Sequence, residues 1–261
     1  MMLHGKRKTE VEFGNNMNRR SVDLIKDLAL EKKEVISLVG AGGKTTVMFA
    51  LAKELSFCQN RVITTTTTKI YPPEPDQSPV LILGGREKFP EINSSLDRFG
   101  HLTWAAGRAK EDKLAGVSPD DISALWAAGT ADYMIVEADG SARKPIKAPN
   151  DREPVVPKET TLFISVAGLS ALNRPLNQDN AFRPEIISRL TALALEAPMT
   201  LETMAQLLVH PQGGLKGWHS PMRAVIVLNQ ADLEPEPGSG QQLAERIEEL
   251  GKGRISRVLL R

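Results

Sequence analysis

The chain has 261 residues, with 33 Lys and Arg against 32 Asp and Glu, a formal net charge of +1, 41% hydrophobic and 25% charged residues. That length suits one large domain or one domain with an insertion. The near-zero charge excludes nucleic acid or a membrane surface as the main partner, since either needs a concentrated positive field. A single cysteine, Cys58, leaves no internal disulfide and no Cys cluster for a metal. No apolar run approaches ~18 residues and the start lacks a signal-like pattern, so the cytoplasm is the expected location.

Residues 1–20 are polar and aperiodic and read as a loosely ordered tail. Residues 21–261 read as one domain. Val22, Ile25, Leu28 and Ala29 share a helical face that Ser21 can cap. The β-branched run at 35–39 is a buried central strand ending at Gly40, and helical spacing follows over 44–55. Strands are expected at 61–65, 80–83, 133–136, 162–166, 224–228 and 255–260. Helices are expected at 120–128, capped by Ser118-Pro119, and at 241–250. Strands alternating with helices imply right-handed crossovers and a doubly wound, mainly parallel α/β sheet. Between 177 and 217 the pattern turns helical without an intervening strand, as a helical insertion or lid would.

The strongest chemical signal is Val39-Gly40-Ala41-Gly42-Gly43-Lys44-Thr45-Thr46, between a buried strand and an amphipathic helix. Glycines let successive N–H groups turn inward as an anion-binding nest, and the helix aims its free N–H groups at the same point. Lys44 supplies a charge to the β/γ-phosphates of ATP or GTP, and Thr45 a hydroxyl to Mg²⁺. The common loop G-x-x-x-x-G-K-[ST] would place glycine at 38, where this chain has Leu38. Its shorter form resembles the loop of the Mur ligases.

The apolar stretch Tyr133-Met134-Ile135-Val136 ends in Glu137-Ala138-Asp139-Gly140. In phosphate-loop enzymes an acid here holds Mg²⁺ or orients the attacking water. Glu137 is the first choice, and Asp139 falls on the same face if the strand continues. The following Arg143, Lys144 and Lys147 lie in a proline-stiffened loop at the sheet edge where open α/β sheets bind ligands, which suits phosphates or an acidic substrate. Thr66, Thr67 and Lys69, where the second strand emerges, are further candidate contacts. Asn229-Gln230-Ala231-Asp232 resembles the N-K-x-D motif of GTP-binding proteins, with Gln230 in place of lysine. Asn229 and Asp232 would then read guanine, or else cap a turn after a strand. His4, His101, His210 and His219 have no metal-ligand spacing, and no serine elbow occurs.

VGAGGKTT at 39–46, TTTTTKI at 64–70, DYMIVEADGSARKPIKAP at 132–149, GLSALNRPLN at 168–177 and LNQAD at 228–232 together resemble the YqeC family. The resemblance runs from about 34 to 235. It implies a phosphate-loop nucleotide-binding protein serving the maturation of selenium-dependent molybdenum hydroxylases, with the hydroxylase or its cofactor-assembly proteins as partners. The expectation is a Mg²⁺-dependent, slow nucleoside triphosphatase. The alternatives are a kinase or Mur-type ligase acting on an acidic small molecule, and a nucleotide-switched binding module without turnover.

Overall fold

A computed structural model describes residues 23–261; the expected tail and Ser21 lie outside them. The first helix, α1 (Leu24–Asp27), is capped by Asp23, whose carboxylate accepts from the Lys26 N–H. Next come β1 (Glu34–Gly40), α2 (Lys44–Phe57), β2 (Val62–Thr66), the two-residue β3 (Lys69–Ile70), β4 (Leu81–Leu83) and α3 (Phe89–Phe99). They are followed by β5 (His101–Ala105), β6 (Gly107–Arg108), β7 (Leu114–Ala115), α4 (Pro119–Ala127), β8 (Tyr133–Glu137) and β9 (Ile146–Lys147). The rest comprises β10 (Thr160–Gly168), β11 (Ala181–Phe182), α5 (Pro184–Thr191), α6 (Leu201–Val209), β12 (Arg223–Asn229), α7 (Ser239–Leu250) and β13 (Arg257–Leu260).

Eight of these strands form one sheet in the order β13-β12-β10-β1-β8-β2-β5-β4, and every pairing in it is parallel. β1 is central and reads as a continuous apolar run because both its faces are covered. On one face Ile36, Leu38, Ile135 and Val225 pack with Val47, Leu51 and Leu55 of α2 and with Leu24 and Leu28 of α1. On the other, Val35, Ile63, Met134 and Val136 meet Ile92 and Leu96 of α3 and Ile122 and Leu125 of α4. Further along that face Ile226 and Leu228 meet Ile187 of α5, Leu207 of α6 and Leu243 of α7. The domain is therefore doubly wound, as the alternation of strands and helices implies.

Three features depart from the sequence-based expectation. α3 and β5 are present where none was expected: α3 buries only Ile92 and Leu96 among polar residues, a weak period for a helix. The region 177–217 contains a strand, β11, which pairs in parallel with β9 beside the basic loop, before α5 and α6. A small antiparallel sheet, β3-β7-β6, projects at the carboxyl edge of the large one. No helix among the described residues is long and apolar enough to cross a membrane.

Candidate functional site

The turn from β1 into α2 is fixed by backbone bonds to three neighbouring segments. The Gly40 N–H donates to both Asp139 carboxylate oxygens at 3.1 and 3.0 Å, the Ala41 N–H to the Val166 carbonyl at 2.8 Å, and the Gly42 N–H to the Lys144 carbonyl at 3.0 Å. Such close approach requires glycine. A Cβ on Gly42, whose φ is +76°, would lie 2.2 Å from the Gly168 nitrogen and 2.7 Å from the Pro145 oxygen. The N–H groups of Gly43, Lys44, Thr45 and Thr46 then meet no acceptor among the described residues. Free N–H groups at a helix head form an anion site. The nest is thus shorter than the expected Gly40–Thr46 backbone: the Gly40, Ala41 and Gly42 N–H groups serve the loop's own attachment.

Parallel register sets the acids. Leu38 of β1 and Thr66 of β2 both stand opposite Glu137, so this carboxylate emerges between the ends of the two strands. It accepts from the Thr45 hydroxyl at 2.7 Å and lies 3.6 Å from the Lys44 ammonium. Burial pushes the Glu137 carboxyl above its ordinary pKa, against the pull of Lys44 and Thr45. Asp139 lies two residues beyond the end of β8. Its oxygens are engaged by the Gly40 N–H, by Lys44 at 3.2 Å and by Lys147 at 3.0 Å, beneath the loop. Both acids flank the Lys44 ammonium, but only Glu137 lines the cleft, while Asp139 pins the loop.

The pinning extends inward as a chain of alternating charges. Lys147 is buried with its ammonium 2.9 Å from Glu153, and Glu153 lies 2.7 Å from the Arg183 guanidinium ahead of α5. Burial alone would raise the Glu153 carboxyl, but Arg183 and Lys147 outweigh it and hold it below the ordinary range. Lys44, Lys147 and Arg183 thus balance Glu137, Asp139 and Glu153. Lys147, a candidate phosphate or substrate contact, is engaged in this network.

A cleft of about 620 Å³ opens over the free N–H groups, within the size range of small-molecule sites. Arg143, Lys144 and Lys69 line it. Thr66 and Thr67 do not: their hydroxyls donate to the Glu137 and Val155 carbonyls, and Thr68 lines the cleft in their place. The Asn229 amide donates to the Gly42 carbonyl at 2.8 Å, bracing the loop. Asp232 sits on an exposed turn after β12, and Gln230 between them lines the cleft with its amide oxygen accepting from Ser170. Sequence reasoning missed Tyr71, Lys113, Glu153 and Arg183, none of which belongs to a local motif.

The donors beside the nest are one hydroxyl and one carboxylate. Mg²⁺ commonly takes one or two protein oxygens and completes its shell with phosphate and water, so Thr45 and Glu137 fit it. Among the described residues no group of three or more His, Cys, Asp or Glu could hold a metal, so such an ion would be shared with a phosphate ligand.

The family model described as YqeC protein matches residues 36–185. A protein of Escherichia coli (strain K12) named "Uncharacterized protein YqeC" is 34% identical over 209 residues, covering 79% of this chain and 80% of that one. Among solved structures, the Signal Recognition Particle 54 kDa protein from Aeropyrum pernix K1 in complex with GDP is similar at 12% identity and a TM-score of 0.31. That match covers 88% of this chain and 35% of the other.

Proposed function

The chain belongs to the YqeC family, and on that premise we propose that it binds a nucleoside triphosphate with Mg²⁺ and hydrolyses it slowly as an assembly factor. The observation that carries the reading is the row of four N–H groups, Gly43 to Thr46, free at the head of α2 and opening on the cleft. These groups would hold β- and γ-phosphate oxygens together with the Lys44 ammonium. Thr45 and Glu137 would hold the metal, which would supply positive charge against the phosphate oxygens. Glu137 would also orient the attacking water through its carboxylate. No covalent intermediate on the protein is required, because catalysis here is positioning and electrostatics.

The family resemblance supports a task in maturing selenium-dependent molybdenum hydroxylases. Phosphate release from ATP and GTP, measured with and without such a hydroxylase and its cofactor-assembly proteins, tests both parts. Turnover that rises when the partner is added is expected. Tight binding without release under any condition would favour a nucleotide-switched module.

A further inference from the structure

The cleft is larger and more basic than a phosphate nest requires. Among the described residues five cations line it, Lys44, Lys69, Lys113, Arg143 and Lys144, against two acids, Glu137 and Glu153. The buried network already neutralises Lys44 and both acids. Lys144 donates to the Asp179 carbonyl, and Lys113 pairs among the described residues with the exposed Glu111 at 2.7 Å. A surplus of positive charge therefore remains on the wall away from the loop.

That wall is built by three separate segments around one ring. In the small sheet Lys69 pairs with Ala115 and Ile70 with Leu114, so the next residues outward are Tyr71 and Lys113. The Lys113 ammonium lies 5.3 Å from the Tyr71 ring centroid, and the Arg143 guanidinium 4.5 Å from it. Arg143 reaches this position through two consecutive residues with positive φ, Ala142 at 48° and Arg143 at 60°. Non-glycine residues adopt that conformation at a cost. An exposed guanidinium over an aromatic ring keeps its N–H edge free for an oxyanion.

We propose that this wall is a second subsite, which takes a phosphate- or carboxylate-bearing substrate while nucleotide occupies the loop. Arg143 and Lys113 bind the oxyanion, Tyr71 fixes the plane of the guanidinium, and Lys69 completes the positive rim. The inference rests on the nucleotide reading for its account of the loop, but the wall's affinity for anions does not.

The test is titration of inorganic phosphate and, separately, succinate, followed by calorimetry. The wild-type protein is used with and without saturating Mg²⁺ and a non-hydrolysable ATP or GTP analogue. Arg143→Ala/Lys113→Ala is the comparison; both side chains are at the surface, and circular dichroism verifies its fold. The expected result is that one of the two anions binds the analogue-loaded wild type and is weakened at least tenfold in the variant. Analogue affinity should change less than twofold. The better anion distinguishes a phosphorylated from a carboxylic substrate. Two results overturn the proposal: neither anion binds at millimolar concentration, or the variant loses the analogue as strongly as the anion, which would make the wall part of the nucleotide's own site. If the analogue fails to bind while the anion binds in a manner dependent on Arg143 and Lys113, the loop reading falls and the subsite stands.

Discussion

Replacing Lys44 by methionine (Lys44→Met) keeps the length of the side chain and removes a charge whose surroundings are known atom by atom. The Lys44 side chain is 1% exposed, 3.2 Å from Asp139 and 3.6 Å from Glu137, and donates to the Gly40 carbonyl at 2.6 Å. Removing one partner of a buried ion pair costs about 3–5 kcal/mol. Asp139 keeps Lys147 and the Gly40 N–H, so most of the loss falls on Glu137, which keeps only the Thr45 hydroxyl. Glu137 can limit that loss by taking up a proton, which at pH 7 costs a carboxyl of ordinary pKa about 4 kcal/mol. A destabilisation of about 4 kcal/mol at pH 7 is therefore expected. The sign of its pH dependence follows. A carboxyl whose folded pKa is raised is relatively stable below the unfolded pKa and loses stability as pH rises through the folded value. The deficit against wild type should consequently shrink to about 1 kcal/mol near pH 5. Urea midpoints of wild type and variant at both pH values measure it, and adding Glu137→Gln to the variant should recover most of the loss at pH 7. A deficit under about 1 kcal/mol and equal at both pH values would refute the buried, mutually compensating arrangement.

Other residues give separate checks. Burial pulls the His101 imidazole down from 6.5 to about 4, so stability should fall by up to ~3 kcal/mol as pH drops from 6.5 toward 4. In His101→Gln the urea midpoint should lose that part of its pH slope, and an unchanged slope would assign it elsewhere. Gly42→Ala forces a Cβ against the Gly168 nitrogen and Pro145 oxygen at a positive φ; a loss of at least ~1–2 kcal/mol is expected in urea unfolding from the backbone conformation alone. Thr45→Val should weaken nucleotide binding at least tenfold with Mg²⁺ present and less than threefold with the metal chelated, read by calorimetry. Equal losses in both would remove Thr45 from the metal's shell.

Much of the fold is legible because a parallel sheet covered on both faces writes each central strand as an apolar run. β1, β8, β10 and β12 are all of this kind. β3, β6 and β7 are two residues long and leave no period to find, and Tyr71 and Lys113 become neighbours only through their pairing. The loop and Glu137 stand out as a motif because one strand-to-helix turn contains nearly all of the chemistry. Glu153 and Arg183 do not, since they are 30 residues apart and meet only where β11 lies beside β9. Asp139 shows the limit of extending a strand's alternation: two residues beyond β8 its carboxylate accepts from the Gly40 N–H of the loop and does not line the cleft.

The central claim is that the N–H groups of Gly43 to Thr46 and the Lys44 ammonium hold nucleotide phosphates. Its most direct test is calorimetric titration of ATP and of GTP, each with Mg²⁺, into the wild-type protein and into folded Lys44→Met. Micromolar binding of at least one nucleotide is predicted, with a loss of tenfold or more in the variant, about 1.4 kcal/mol for each tenfold. No binding of either nucleotide to wild type at millimolar concentration, or equal affinity in the variant, would contradict it.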